Sequence, residues 1–262
     1  MAAMDEATMA EWTRWLGERY DQGELSAMRR FWKEEHGGAP SESQWLRLQA
    51  GEPLQYVLQK AWFMGRTLQV NSSVLIPRPE SEELVEWVLE DPSVHGQACL
   101  DLGTGSGCLA LALAWRGLCR PVYGMDCSRE ALRTALENAK AWGLEDQFLS
   151  LWGDFMDDAW IPPVAPVWIS NPPYIAQEEA GTLENHVIDY EPHIALFAPQ
   201  GQPLNVYRRL AQHFLSNEHA RQFWLELNPM WAEECRGIWG DCYVTIRNDM
   251  QGQARMLRVV KG

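Results

Sequence analysis

The sequence predicts an α/β protein: a doubly wound, mostly parallel sheet closed by an antiparallel C-terminal hairpin and preceded by a small helical domain. Three observations predict it. From Glu80 onward, short apolar strands alternate with amphipathic helices, the pattern of parallel strands joined by helical crossovers. Near the end, the strands 243–246 and 256–260 flank Asn248-Asp249-Met250-Gln251-Gly252 with no helix between them, so that pair is antiparallel. Residues 1 to about 60 carry only helical periodicity.

In chain order, Trp12, Trp15 and Leu16 share one helix face, and Leu25, Met28, Phe31 and Trp32 another. Gly37-Gly38-Ala39-Pro40 breaks the pattern. Ser41 and Gln44 then form a capping box ahead of Trp45, Leu46 and Leu48. Gly51-Glu52-Pro53 starts a transition, and 62–70 alternates around Gly65-Arg66 as a short hairpin. The reading is therefore a helical domain over 1–60, a hairpin linker over 61–79 and an α/β domain over 80–262. Within the last, helices are expected at 81–89, 107–117, 130–142 and 204–215. Strands are expected at 98–102, 122–125, 148–151, 167–170 and 223–227, which with the hairpin makes seven. A polar loop should follow the strand at 167–170.

Composition bounds the function. With 262 residues, 46% hydrophobic and 22% charged, the chain can bury a substantial core, which excludes disorder. No run approaches the roughly 18 apolar residues of a membrane span, and charges interrupt the first thirty residues, so a cytoplasmic protein without membrane contact is expected. Six cysteines without a C-x-x-C pair argue against zinc and against a disulfide framework; reduced thiols are expected. The 14 tryptophans run from Trp12 to Trp239 with no cage-like spacing, so packing is their default role. The net charge of −14 disfavours nucleic acid, whose phosphates call for a basic stripe. Arg29, Arg30 and Lys33 make no such stripe, because Glu34 and Glu35 follow at once.

Two segments carry chemistry. In Asp101-Leu102-Gly103-Thr104-Gly105-Ser106-Gly107 an acid lies near a strand end and glycines fill the turn to the next helix, which lets a ligand approach the backbone. A plain tight turn is the bland alternative. The spacing is not the G-x-G-x-x-G of dinucleotide binders, and the Lys-Ser/Thr of a phosphate loop is missing. Asp126 ends the next strand, where it can accept from ribose hydroxyls or cap the helix beginning near Ser128. Asp154, with Phe155, follows the third strand. Three acids at successive strand ends around a glycine turn point to a site for S-adenosyl-L-methionine, with Asp101, Gly103, Thr104, Gly105, Gly107, Asp126, Asp154, Phe155 and Asn171 as its binding residues.

The second segment is Asn171-Pro172-Pro173-Tyr174, after the strand at 167–170. Two prolines stiffen it and remove backbone donors. The Asn171 side-chain oxygen and the Pro172 carbonyl can accept both hydrogens of a planar –NH₂ group while the Tyr174 ring stacks on it. Asn171, Pro172 and Tyr174 are thus the catalytic candidates, with Pro173 also at the substrate. The motif does not separate adenine from glutamine.

Asp-Leu-Gly-Thr-Gly-Ser-Gly at 101–107 together with Asn-Pro-Pro-Tyr at 171–174 resembles the class I methyltransferases that act on exocyclic or amide nitrogens. Three further segments resemble the release-factor glutamine methyltransferase family: Gln55-Tyr56-Val57-Leu58 through Phe63, Val74-Leu75-Ile76-Pro77-Arg78-Pro79-Glu80-Ser81-Glu82, and Asp189-Tyr190-Glu191-Pro192-His193-Ile194-Ala195-Leu196. So does the C-terminal Asn248 to Arg255 hairpin. The resemblance covers roughly 53–260 and implies a Rossmann-like fold with a seven-stranded sheet. It implies methylation of the glutamine amide in the Gly-Gly-Gln loop of class 1 peptide chain release factors, and a helical domain that recognises the substrate. Ile-Pro-Arg-Pro-Glu discriminates most, because ribosomal-protein glutamine methyltransferases share Asn-Pro-Pro-Tyr but usually depart there. Arg78 and Glu80 are assigned to the substrate side; they contact the loop or cofactor, or fix the segment before the helix at Ser81. Glu191-Pro192 lies where it could shape the substrate entrance.

The chain departs from the family at Ser216-Asn217-Glu218-His219-Ala220-Arg221, where a Gly-Gly turn is usual, and in Leu225-Glu226-Leu227-Asn228-Pro229-Met230-Trp231, where an Ile-Gly and a Gln are commoner. Competing readings are methylation of a ribosomal-protein glutamine or of the adenine amine in DNA or RNA, and a non-catalytic cofactor-binding module. No Asp or His beside the motif stands out as a strong base, so catalysis is expected to rest on positioning, without a metal and in a monomer.

Overall fold

The computed structural model describes residues 40–262 together with residues 14, 17, 30, 32 and 33. The helix faces expected around Trp12, Trp15, Leu16, Leu25, Met28 and Phe31 fall outside the described residues, as does the break at Gly37. Two compact units make up the chain, Met1–Lys60 and Ala61–Gly262.

In the smaller unit, α1 (Glu42–Gln49) opens on the capping box. The Gln44 amide donates to Ser41 Oγ at 3.3 Å and the Ser41 amide to Gln44 Oε1 at 2.8 Å. After α2 (Leu54–Leu58), Arg47 holds the pair together by donating to the Glu52 carboxylate and, at 3.1 Å, to the Tyr56 carbonyl.

The hairpin β1 (Lys60–Phe63) and β2 (Arg66–Gln69) turns on Met64 and Gly65, both at positive φ, the requirement of a two-residue turn that follows the strand twist. It is stitched to α5 (Arg129–Trp142). Asn138, fully buried on that helix, accepts from the Gln69 amide at 2.6 Å and donates to the Gln69 and Ser106 carbonyls. Trp142 Nε1 donates to Thr67 O at 2.8 Å. The same asparagine therefore fixes the hairpin and the glycine turn.

The rest alternates as the periodicity predicts. α3 (Pro79–Leu89) leads to β3 (Gln97–Leu102), α4 (Cys108–Trp115), β4 (Cys119–Asp126), α5, β5 (Phe148–Trp152) and β6 (Val167–Ser170). α3 starts two residues before the predicted Ser81 because Pro79 has its φ pre-set for a first helical turn and needs no N–H there. The stretch expected as a polar loop contains α6 (Asn185–Tyr190) and α7 (His193–Leu196). These are too short to leave a periodic signal, and α6 buries no residue. Then follow α8 (Pro203–Ser216), β7 (Gln222–Glu226), α9 (Ala232–Arg236), β8 (Tyr243–Asn248) and β9 (Ala254–Val260).

The seven strands order as β5-β4-β3-β6-β7-β9-β8. Pairings from β5 to β7 are parallel, and β9 runs antiparallel to both β7 and β8. One face packs on α3, α4 and α5; Leu109 to Ala114 of α4 are all buried, so that helix is apolar all round. The other face holds Trp168, Phe214, Phe223 and Trp239, whose rings meet at centroid distances of 5.5–6.1 Å, mostly edge-on. Strand order reverses between β3 and β6, and a crevice opens at the carboxyl ends there. Among the described residues, no helix is long and apolar enough to cross a membrane.

Candidate active site

A cleft of about 1060 Å³, counting its open mouth, lies over the carboxyl ends of β3, β4, β5 and β6. Gly103, Thr104, Gly105, Asp126, Asp154, Phe155, Asn171, Pro173 and Arg78 line it. Of the other residues proposed from the sequence, Asp101, Gly107, Pro172, Tyr174 and Glu80 do not.

The glycine turn explains part of this division. Gly105 has φ +54°, and a Cβ there would meet nothing within 4 Å, so its backbone presents bare space to a ligand. Gly107, at φ +83°, faces inward instead: a Cβ would sit 3.1 Å from Leu111 Cδ1 and 3.2 Å from Ala135 Cβ, so this glycine lets α4 and α5 approach. Asp101 is fully buried behind the turn. Its Oδ2 accepts from Thr104 Oγ1 at 2.7 Å and from the Ala110 amide at 3.3 Å, while Oδ1 has no partner. Burial, with a smaller contribution from the charge of Asp126, pushes this carboxyl up to about 7.

A carboxyl raised in the folded state binds a proton there that the unfolded chain has already released, so its stabilising share is complete below the ordinary range near 3.8 and is lost as pH rises towards 7. The window converts to about 4 kcal/mol at about 1.4 kcal/mol per pH unit. Asp101→Asn removes this dependence. Urea midpoints at pH 5 and pH 8 should show the wild type losing stability relative to the variant at the higher pH; parallel behaviour would refute the assignment.

The helix cap offered to Asp126 is taken by Ser128, and Asp126 instead braces the glycine turn. Its Oδ1 accepts from the Ser128 amide and its Oδ2 from the Gly105 amide, each at 2.9 Å, while Ser128 Oγ caps α5. Burial raises its pKa and these amides oppose the rise. Asp154 is exposed at the rim and accepts from the Met156 amide at 2.8 Å; Phe155 is buried beside Gly103.

The end of β6 is tied to the end of β3 by Ser170 Oγ, which donates to Leu102 O at 2.6 Å. That bond sets Asn171 next to the glycine turn. Asn171 Nδ2 donates to Ser81 Oγ at 3.1 Å, Ser81 Oγ donates to Glu226 Oε2 at 2.6 Å, and Tyr174 Oη donates to Glu226 Oε1 at 2.7 Å. Glu226 is 1% exposed. Burial raises its pKa, against the bonds from Ser81 and Tyr174 and the charge of Arg255. Tyr174 is pushed well above its ordinary value by burial and then by Glu226. Asn228, where the chain departs from the family pattern, donates to Glu179 Oε2 at 3.0 Å and to the Tyr174 carbonyl at 3.4 Å, joining the following loop to β7.

Arg78 both lines the cleft and is held. Its Nη2 meets Glu191 Oε1 at 2.5 Å, and Glu191 Oε2 accepts from the Ile76 amide at 3.1 Å. The Glu191 side chain is fully buried, so this pair joins the segment before α3 to the junction of α6 and α7. Glu80 sits in the first turn of α3, where its charge bears on Glu226 and Tyr174.

Sequence reasoning missed Ser81 and Glu226 as site residues. The available signal was an acid closing the apolar run Phe223-Trp224-Leu225-Glu226, the same signature that marked Asp101 and Asp126.

A glycine turn with open backbone, and the acids Asp126 and Asp154 beside it at the cleft, suit a ligand that carries cationic, hydroxyl and amine groups. With the seven-stranded sheet, they define the class I S-adenosylmethionine-dependent methyltransferases. A methyltransferase small domain model matches residues 80–196. The catalytic domain of hMettl16 in complex with the MAT2A 3′UTR hairpin 1 shares the fold at a TM-score of 0.57 and 20% identity, over 73% of this chain and 72% of that one. The release factor glutamine methyltransferase of Flavobacterium psychrophilum is 34% identical over 224 residues, 82% of this chain and 77% of that one. That of Lactococcus lactis is 36% identical over 218 residues, 81% and 79% of the two chains. This chain belongs to the release factor glutamine methyltransferase family.

Proposed function

We infer that this protein methylates the side-chain amide nitrogen of the glutamine in the Gly-Gly-Gln loop of class 1 peptide chain release factors, in the cytoplasm. Membership of the family names the substrate class, and the position of Asn171 carries the chemistry: a side-chain amide at the cleft wall, against the glycine turn, with its nitrogen already engaged by Ser81.

Gly103, Thr104, Gly105, Asp126, Asp154 and Phe155 would hold S-adenosylmethionine, with Asp101 and Gly107 shaping the turn from behind. When bound, it supplies an electrophilic sulfonium methyl group. The chain's own residues have to orient a poor nucleophile, since an amide lone pair is delocalised. Asn171 Oδ1 and the Pro172 carbonyl accept the two amide hydrogens, which fixes the amide plane and favours pyramidalisation at nitrogen. The stiff Pro172-Pro173 pair limits the freedom lost on binding. Such alignment is worth on the order of 7–11 kcal/mol in favourable systems. Tyr174, anchored through its hydroxyl, supports the far end of the motif. The Met1–Lys60 unit offers a surface for recognising more of the release factor than its loop, and the acidic surface suits a protein partner better than nucleic acid.

The test is to incubate the protein with methyl-labelled S-adenosylmethionine and either a release factor, the same factor with the loop glutamine changed to alanine, or DNA and RNA oligonucleotides. Label is expected in the unmodified factor alone. Label in nucleic acid, or label surviving the glutamine change, would overturn the reading.

A further inference from the structure

We propose that Glu226 is a positioning residue for methyl transfer: through Ser81 it fixes which end of the Asn171 amide faces the substrate. The proposal rests on the reading that Asn171 Oδ1 accepts from the substrate amide.

The argument is one of donor and acceptor counting. A carboxylate only accepts, so both hydroxyls that meet Glu226 must donate to it. Ser81 has one hydroxyl proton, and giving it to Glu226 Oε2 at 2.6 Å leaves Oγ with only lone pairs to offer its other neighbour. That neighbour is Asn171, whose NH₂ end is the one that can answer, at 3.1 Å. Asn171 Oδ1 is left without a partner among the described residues, at a cleft wall that Asn171 and Ser81 both line. An acceptor is what an –NH₂ substrate needs. The opposite amide orientation would set Asn171 Oδ1 against serine lone pairs and point a donor at a donor.

The chain of bonds runs in one direction because a buried charge starts it. Tyr174 Oη, donating to Glu226 Oε1 at 2.7 Å, occupies the second oxygen, so neither end of the carboxylate is open to water. Glu226 and Ser81 lie 145 residues apart, on β7 and α3, and the site is assembled only when those elements pack. An acid here is costly to bury, which a leucine or glutamine would avoid; the polarity it imposes on Asn171 is the return for that cost.

Glu226→Gln keeps the size but replaces two acceptors by one donor and one acceptor. Ser81 can then accept from the introduced amide and donate to Asn171 Oδ1, which turns the asparagine. The readout is binding of release factor in the presence of S-adenosylhomocysteine, comparing the native glutamine loop with a loop in which that glutamine is glutamate. The wild-type enzyme should prefer glutamine, and Glu226→Gln should shrink that preference about tenfold, the worth of one hydrogen bond. kcat should fall about 10²-fold, as for loss of one oriented polar group in an active site, while S-adenosylhomocysteine affinity stays unchanged. Adding Ser81→Ala to Glu226→Gln removes the group that enforces the wrong orientation and should raise kcat above that of Glu226→Gln alone. A glutamine-to-glutamate preference unchanged in both the folded Glu226→Gln enzyme and the Ser81→Ala enzyme would overturn the proposal. If Glu226→Gln fails to fold, Ser81→Ala alone decides: it should narrow the same preference, and retention of the wild-type preference refutes the proposal. Full activity of Asn171→Ala would instead overturn the reading of the site on which it rests.

Discussion

Asn171→Ala should lower kcat by at least about 10³-fold, the upper range for deleting one preorganised polar group, while S-adenosylmethionine affinity stays close to that of the wild type. The asymmetry follows from where the bonds lie. The glycine turn is held by contacts that do not involve Asn171: the Gly103 and Thr104 amides donate to the Met125 carbonyl, and the Gly105 amide to Asp126. Removing the Asn171 side chain therefore leaves the cofactor side of the cleft standing. It frees Ser81 Oγ, which keeps its stronger bond to Glu226, so the packing of α3 against β7 survives as well. What disappears is an acceptor aimed at the reacting nitrogen, and with it the alignment on which a weak nucleophile depends. Calorimetric titration with S-adenosylhomocysteine and single-turnover transfer of labelled methyl separate the two effects. A parallel loss of cofactor affinity would mean that Asn171 holds the cofactor, and the division of roles would be wrong.

The parts of the site that could be read from the sequence are those whose chemistry is local. Asp101 to Gly107 and Asn171 to Tyr174 are each a strand end plus its turn, and a parallel α/β sheet brings every such turn to one edge. Two motifs far apart in the chain thus meet without any further information than strand order. Ser81 and Glu226 escaped because neither has meaning alone. A serine in the first turn of a helix is ordinary, and a glutamate ending a strand acquires a role only when a tyrosine and a serine from other elements donate to it. Arg78 was legible as a residue of interest but not as a bonded one, because Glu191 lies 113 residues away. The short helices α6 and α7 left no period because neither is long enough to carry one; α7 is tied down by a distant partner, the Ile175 amide donating to the Leu196 carbonyl, and not by an apolar stripe.

Arg78→Ala should destabilise the protein by about 3 kcal/mol, at the low end of the range for stripping one partner from a buried ion pair. In a domain of this size that lowers Tm by roughly 6–12 °C. The low end applies because Arg78 keeps 32% of its side-chain surface exposed, so solvent already screens one half of the pair, whereas Glu191 keeps none. Without Arg78 the Glu191 carboxylate retains only the Ile76 amide, and a charge buried with one neutral donor is the costly species. Glu191→Gln removes that charge and still leaves an acceptor for Ile76, so Arg78→Ala/Glu191→Gln should recover most of the lost stability in thermal melts. The same pair of variants decides what Arg78 does at the cleft. If its task is to hold the segment before α3 against the α6–α7 junction, turnover returns together with stability in the double variant, and this is the expected result. Recovery of Tm without recovery of kcat/KM would show that the guanidinium itself meets the release factor loop or the cofactor, since the scaffold would then be intact and only the charge missing.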